Sequence, residues 1–249
     1  MNILYDKSTV LDYLWQYSRF SAYCLDQGEE LFRSEKGFSA ITVLFNCLEN
    51  ISKSIVNDYN SSTYDIYQKL LDNGVITQIE HDFLNQGDNC IRKIRNYYAH
   101  KNIAAINYVT IENGREILNP LTEDTTSLLI YDKISDIVYN LILKMISSVF
   151  IEEVKNKFQI SLDDNILACD IKLKFLTVKE LLVLKGYPED YISDDLDIPE
   201  DAKYRIIDNS PDVNIYMHIL SGILGHKENG GSGEDQNGWS SSGPYLEGK

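Results

Sequence analysis

Four side chains in one short segment could do chemistry together. Arg92, Arg95, Asn96 and His100 all fall within the stretch IRKIRNYYAH that runs from Ile91 to His100. An imidazole exchanges protons near neutral pH, so it serves as general base or general acid. A guanidinium carries a permanent charge and forked donors suited to anionic phosphate oxygens. Beside a phosphodiester, this set suits cleavage of RNA by its own 2′-hydroxyl. One group takes the hydroxyl proton, another protonates the leaving 5′-oxygen, and a fixed cation stabilises the phosphorane-like transition state. Asn96 has two uses open to it: orienting the imidazole or holding a phosphate oxygen. Arg92, Lys93 and Lys101 make this the most basic cluster of the chain and the candidate RNA-binding residues. A plainer reading stays open beside it, in which Arg95 and His100 cap a helix and pair with nearby carboxylates.

Helix geometry limits how these groups can meet. Arg92, Asn96 and His100 are spaced i, i+4, i+8 and form one stripe. Arg95 and His100 are five positions apart, which is about 140° around a straight helix. A single copy therefore brings them together poorly unless the helix ends or bends between them. Two such helices related by a two-fold axis would place both sets in one cleft, so a homodimer is expected. Ile94, Tyr97 and Tyr98 supply apolar surface beside the motif. The tyrosines are expected to pack in the bundle or the dimer interface rather than to stack on bases.

The elements around the motif read as helices. Thr9 to Gln27 has an amphipathic pattern, with Ser8 or Thr9 as its cap. Gly37 to Tyr59 has a broad apolar face, interrupted by Glu49 and Lys53, and is expected near the centre of a bundle. Tyr64 to Leu71 is a shorter helix. Thr77 opens another, Gln78 to Asn85, with Glu80 three residues on in a capping-box relation. The motif helix, Asn89 to His100, follows the break at Gly87-Asp88. Asn113-Gly114 lies between apolar runs and marks a small hairpin or loop. Thr122 to Glu153 is the last long helix of this part. Beyond it, Leu162 to Phe175 could hold one or two strands, and Thr177 to Lys185 and Val213 to Leu224 read as helices.

The fold class is thus mainly α. A helical bundle over residues 1–154 precedes a small, mostly helical C-terminal subdomain over 155–226 and a flexible tail over 227–249. The tail holds six glycines, and its GGSG has the look of a linker rather than of a folded element.

Composition bounds the function. Of 249 residues, 43% are hydrophobic, which is ordinary for a folded protein. Asp+Glu number 38 against Lys+Arg 23, for a formal charge of −15. That balance opposes nucleic-acid binding over a broad surface and leaves room for a small local phosphate site. The start lacks a basic-then-apolar leader, and Ile134 to Ile151 is too polar and short to span a bilayer. A cytoplasmic protein with no membrane partner is expected. Cys24, Cys47, Cys90 and Cys169 are far apart and read as reduced thiols. His81, His218 and His226 lack partners at ligand spacing, so no metal and no cofactor are expected.

Arg95, Asn96 and His100, late in a helical bundle, resemble the R-x4–6-H motif of the HEPN superfamily, which commonly has a polar residue after the Arg. The resemblance covers roughly residues 1–150. It implies a helical bundle, a metal-independent endoribonuclease acting as a dimer, and Arg95, Asn96 and His100 as catalytic residues. It also implies a toxin or phage-defence setting, with an antitoxin as a possible partner. One toxin branch carries Tyr two places after the His; Asn102 stands there in this chain. The alternative within the family is a non-catalytic adaptor that uses the bundle for dimerisation.

Phe175 to Tyr191 and Tyr204 to Leu224 resemble the closing segment of cytosine-5 DNA methyltransferases. Leu176-Thr177, Glu180, Gly186, Tyr187, Pro188, Asn209-Ser210 and Val213 fall in the family's order. Asp208 stands where Gly is usual and Lys185 where Gln is usual, and none of the five prolines is followed by Cys. The resemblance implies an accessory subunit with a methyltransferase partner, not an enzyme that methylates alone.

Overall fold

The computed structural model describes residues 4–87, 89–100, 103–150, 167, 171–192, 199–208 and 210. It divides into two compact units at Lys174/Phe175, and the described residues are mainly helical. In the first unit the helices are α1 (Lys7–Tyr17), α2 (Arg19–Arg33), α3 (Gly37–Val56), α4 (Thr63–Asp72), α5 (Gln78–Asn85), α6 (Ile91–His100) and α7 (Asp124–Ser147). Two strands, β1 (Ile106–Glu112) and β2 (Arg115–Pro120), sit between α6 and α7.

The expected first helix is two. Ser18 has extended backbone (φ −152°, ψ 105°) and its hydroxyl accepts from the Ser21 N–H at 3.2 Å. It ends α1 and caps α2, and an apolar pattern that runs through the break does not reveal it. The cap of α1 is Asp6, rather than Ser8 or Thr9; its carboxylate accepts from the Thr9 N–H at 2.9 Å. These hydrogen bonds from Ser8 and Thr9 pull the exposed Asp6 carboxyl down to about 2. The capping box at Thr77 and Glu80 is present as expected. The hairpin is present too. Glu112 pairs with Arg115, so Asn113 and Gly114 alone form the turn, with φ of 51° and 76°. Positive φ at both central residues defines the turn type that Asn-Gly favours.

Helix α7 is buried nearly all round, with Ile130, Tyr131, Ile134, Val138, Leu141 and Ile142 each fully enclosed. Helix α3 packs along it, and α1 and α2 close the other side. The α3–α7 approach begins at Gly37. A methyl group there would lie 2.1 Å from the Asp124 carbonyl oxygen and 2.7 Å from the Leu128 nitrogen. The contact is backbone against backbone, so no side chain can yield. Next to it, the Phe38 N–H donates to Asp124 Oδ1 at 2.7 Å.

A polar knot crosses the other side of this core. Glu29 of α2 accepts from Lys7 Nζ at 2.7 Å and from the Tyr131 hydroxyl at 2.6 Å. Lys7 Nζ also lies over the rings of Tyr131 and Tyr139, at 5.1 and 5.3 Å from their centroids. The ion pair and the aromatic faces together compensate a charge that burial would otherwise penalise. Helix α5 is fixed to α7 in a similar way, with both Glu80 oxygens 2.7 Å from Lys144 Nζ.

The strand expected between Leu162 and Phe175 is β3 (Leu173–Phe175), on the other edge of β1, where Val109 N–H donates to the Lys172 carbonyl at 2.8 Å. In the second unit, Thr177 and Glu180 form a capping box on α8 (Val178–Leu184). Gly186, at φ 83°, ends that helix, with its N–H donating to Val183 O and that of Tyr187 to Leu182 O. A helix not expected from the sequence, α9 (Glu200–Asp208), starts just after Pro199. Tyr204 donates to the Leu176 carbonyl at 2.8 Å, and Leu181, Leu182 and Ile207 are buried. The expected helix Val213 to Leu224, Asn209, His218, His226 and the tail from 227 lie outside the described residues. Among those residues no helix is long and apolar enough to cross a membrane.

The Gly37 contact gives a stability prediction. Gly37→Ala should lower stability by about 1–3 kcal/mol or more, because overpacking here displaces backbone. Chemical denaturation should show this, with exposed Ser39→Ala unchanged as control. Equal midpoints for both variants would contradict the close α3–α7 approach.

Candidate functional site

The motif helix α6 begins after Cys90 and is anchored by Ile91 and Ile94, both buried in the core. Those two residues turn Arg92, Lys93, Arg95 and Asn96 to partly exposed positions. The helix is unbroken from Ile91 to His100, so it neither ends nor breaks between Arg95 and His100. His100 is its last residue; its side chain lies outside the described set, as do Lys101 and Asn102 entirely.

Arg95 is held rather than loose. Its Nη2 donates to Glu49 Oε2 at 2.6 Å and its Nη1 to Asn96 Oδ1 at 3.2 Å. Glu49 comes from α3, where Lys53, one turn on, donates to its other oxygen at 2.8 Å. Burial by itself would raise the Glu49 pKa. The Lys53 hydrogen bond, the charges of Arg95 and Lys53 and a hydrogen bond from Thr63 outweigh it and hold the carboxyl below its ordinary value. The group thus places two cations on one carboxylate. Tyr67 of α4 is fully buried nearby, and burial, then the Glu49 charge, push its hydroxyl pKa well up.

The other basic residues divide by role. Arg92 Nε donates to Asn85 Oδ1 at 2.6 Å, its Nη2 reaches the Asn85 carbonyl at 3.3 Å, and its guanidinium lies 5.3 Å from the Tyr64 ring centroid. It serves as the tie between the end of α5 and α6. Asn85 Nδ2 in turn donates to the Tyr64 carbonyl and to Nε2 of His81, both at 3.1 Å. His81 is buried, with Nδ1 3.4 Å from Asp82. Lys93 is partly exposed on α6. The structure therefore brings Arg95 and Asn96 together, adds Glu49 and Lys53, and turns Arg92 towards α5.

Beside Arg95 a cavity of about 150 Å³ opens between α3 and α6, lined by Phe38, Thr42, Phe45, Asn46, Tyr98 and Ala99. Tyr98 forms its floor. Its ring is 5.5 Å from Phe38 and 6.1 Å from Phe45, and its hydroxyl is 3.0 Å from Ser127 Oγ on α7. Burial, partly offset by the Ser127 bond, pushes its pKa up to about 12. Tyr98 thus packs within the bundle, and Tyr97 lies partly buried against the same core.

Glu49 is the residue that sequence reasoning left without a role. Its signal was a Glu–Lys pair at i, i+4 on an otherwise apolar helix, a pair that charge alone does not require to face inward. Among the described residues no cluster of three or more His, Cys, Asp or Glu could hold a metal ion. Cys24, Cys47 and Cys90 are free thiols. Comparison with protein-family models, with curated proteins and with solved structures finds no match to this chain.

The Glu49 knot has a pH signature. A carboxyl whose folded pKa is depressed contributes stability fully above its unfolded pKa and loses it as pH falls through the folded value. Glu49→Gln should cost about 1–3 kcal/mol at neutral pH, discounted for the partial exposure of its partners. The gap between wild type and variant should narrow as pH falls below the ordinary glutamate range. A gap independent of pH would show that the ion pair contributes nothing.

Proposed function

We propose that the first unit is a metal-independent endoribonuclease of HEPN type, with Arg95, Asn96 and His100 as its chemical groups. The observation that carries this reading is the preset guanidinium. Arg95 is aimed by Glu49 and Asn96, is only partly buried, and borders an open groove on an otherwise acidic protein. A donor fixed before substrate arrives needs no reorganisation in the transition state. In the proposed reaction His100 exchanges the protons. The 2′-oxygen attacks phosphorus as its proton leaves, the bond to the 5′-oxygen breaks, and that oxygen is protonated. The products are a 2′,3′-cyclic phosphate and a 5′-hydroxyl. Arg95 stabilises the extra negative charge between these events, and Lys53 keeps the Glu49 carboxylate from cancelling it.

One observation favours the second reading, a non-catalytic adaptor. The shortest contact of Arg95 is to a carboxylate, at 2.6 Å, and a phosphate would have to share or displace it. The two readings part at His100, which only the ribonuclease needs.

RNA cleavage by the purified protein should be abolished in His100→Ala, with thermal stability nearly unchanged. Arg95→Ala should lose a comparable amount, through a few kcal/mol, about 3, of transition-state stabilisation. Cleavage should persist in EDTA. Full activity in both variants would reject this site, and no cleavage by wild type would leave the adaptor reading standing.

The unbroken α6 adds a dimer to this proposal. With Arg95 and His100 about 140° apart on one helix, two copies would complete the cleft. Light scattering should report about twice the chain mass. Excess His100→Ala protein, exchanged into wild type, should depress activity beyond simple dilution. An active monomer at assay concentration would refute the shared cleft.

A further inference from the structure

A larger cavity, about 440 Å³, lies on the other side of α3, between that helix and the α1–α2 break. We propose that it is a nucleobase site, and that in the RNA reading it holds a base next to the phosphate at Arg95. The volume falls in the range of small-ligand pockets. Its walls carry two aromatic rings that are largely uncovered: Phe20 is 74% exposed and Tyr59 61%. It also carries two amides, Asn46 and Asn50, one turn apart on α3 and both exposed. Neither amide makes a hydrogen bond to another described residue. Tyr17 and Ser54 add a hydroxyl pair, 2.7 Å apart.

The chemistry of this lining selects a class. Among the described residues no Lys, Arg, Asp or Glu lines the cavity, so none of them gives a phosphate or an ammonium a counter-charge inside it. An aliphatic ligand would leave both amides unpaired. A flat, neutral, polar ring satisfies both needs. It stacks on an aromatic face and offers adjacent donors and acceptors to an amide, which is how single-stranded nucleic acid is bound. An amide presents a donor and an acceptor side by side and so can pair two-fold with a base edge.

Position links the cavity to the candidate cleavage site. Asn46 lines both this cavity and the smaller one bordered by Arg95. Asn50 follows Glu49, the carboxylate that holds Arg95. A base in the cavity would therefore leave its phosphate alongside α3, where Arg95 meets Glu49. The strand arm of the proposal rests on the ribonuclease reading; the nucleobase site does not.

The test uses the full chain. The four nucleosides and their 5′-monophosphates are titrated by NMR, and cleavage of a mixed-sequence RNA is mapped, for wild type, Phe20→Ala and Asn50→Ala. Both substitutions are at exposed positions, and thermal melting checks their folding. At least one nucleoside should bind wild type saturably and bind each variant roughly tenfold more weakly, the size of a lost stacking or edge contact. Cleavage in the variants should lose its preference for that base. Saturable nucleoside binding with no RNA cleavage by wild type would overturn the ribonuclease reading and the strand arm, and would leave a site for free nucleotides. Cleavage with its base preference intact in both variants would overturn the strand arm alone. No nucleoside binding, or equal binding by all three proteins, would overturn the nucleobase site whether or not RNA is cut.

Discussion

The Glu49 carboxylate is the point where α3 and α6 are tied together. It belongs to α3, accepts from Lys53 on the same helix and draws Arg95 in from α6, and Thr63 at the start of α4 helps to hold its pKa down. A carboxylate in such a place must have these donors, because burial alone would neutralise it. Two of the donors are cations, so satisfying the carboxylate leaves positive charge on the surface instead of removing it. The same contact that orders α6 therefore also creates the site. In a chain with a formal charge of −15, two cations around one carboxylate make a local inversion of charge.

Around that point the bundle is built by close approach. Gly37 lets α3 start against the backbone of α7, and the Phe38 N–H is caught by Asp124. This places Phe38 over Tyr98, which is itself held to α7 through Ser127. The aromatic groove beside Arg95 is thus set by contacts to α7, a helix that contributes no residue to the groove. The Lys7–Glu29–Tyr131 knot does the same for the far side, fixing α1 and α2 where they wall the larger cavity.

Helix α3 has an apolar face towards α7 and an outer face that divides into two stripes of different chemistry. One stripe, with Glu49 and Lys53, faces α6 and carries charge. The neighbouring stripe, with Asn46, Asn50 and Ser54, faces the α1–α2 break and carries neutral donors and acceptors. Charge on one side and neutral polarity on the other is the division a nucleotide presents, between its phosphate and its base.

Much of this was legible in the sequence wherever a signal was local. The Thr77–Glu80 box, the Asn113-Gly114 turn, the broad apolar face of α3 and the helical character of Ile91 to His100 depend on neighbours a few residues apart, and periodicity and capping chemistry report such neighbours directly. The break at Ser18 was not legible, because a serine inside an apolar repeat looks the same whether it caps a helix or lies on its polar side. Nor was the partner of Arg95, forty-six positions away. Many carboxylates in an acidic chain could have met that guanidinium, and only packing selected Glu49. The sequence by itself determined which residues could move protons and steady charge. The tertiary structure decided which of them face one another, because ion pairs between distant segments are chosen by the helix packing that buries them.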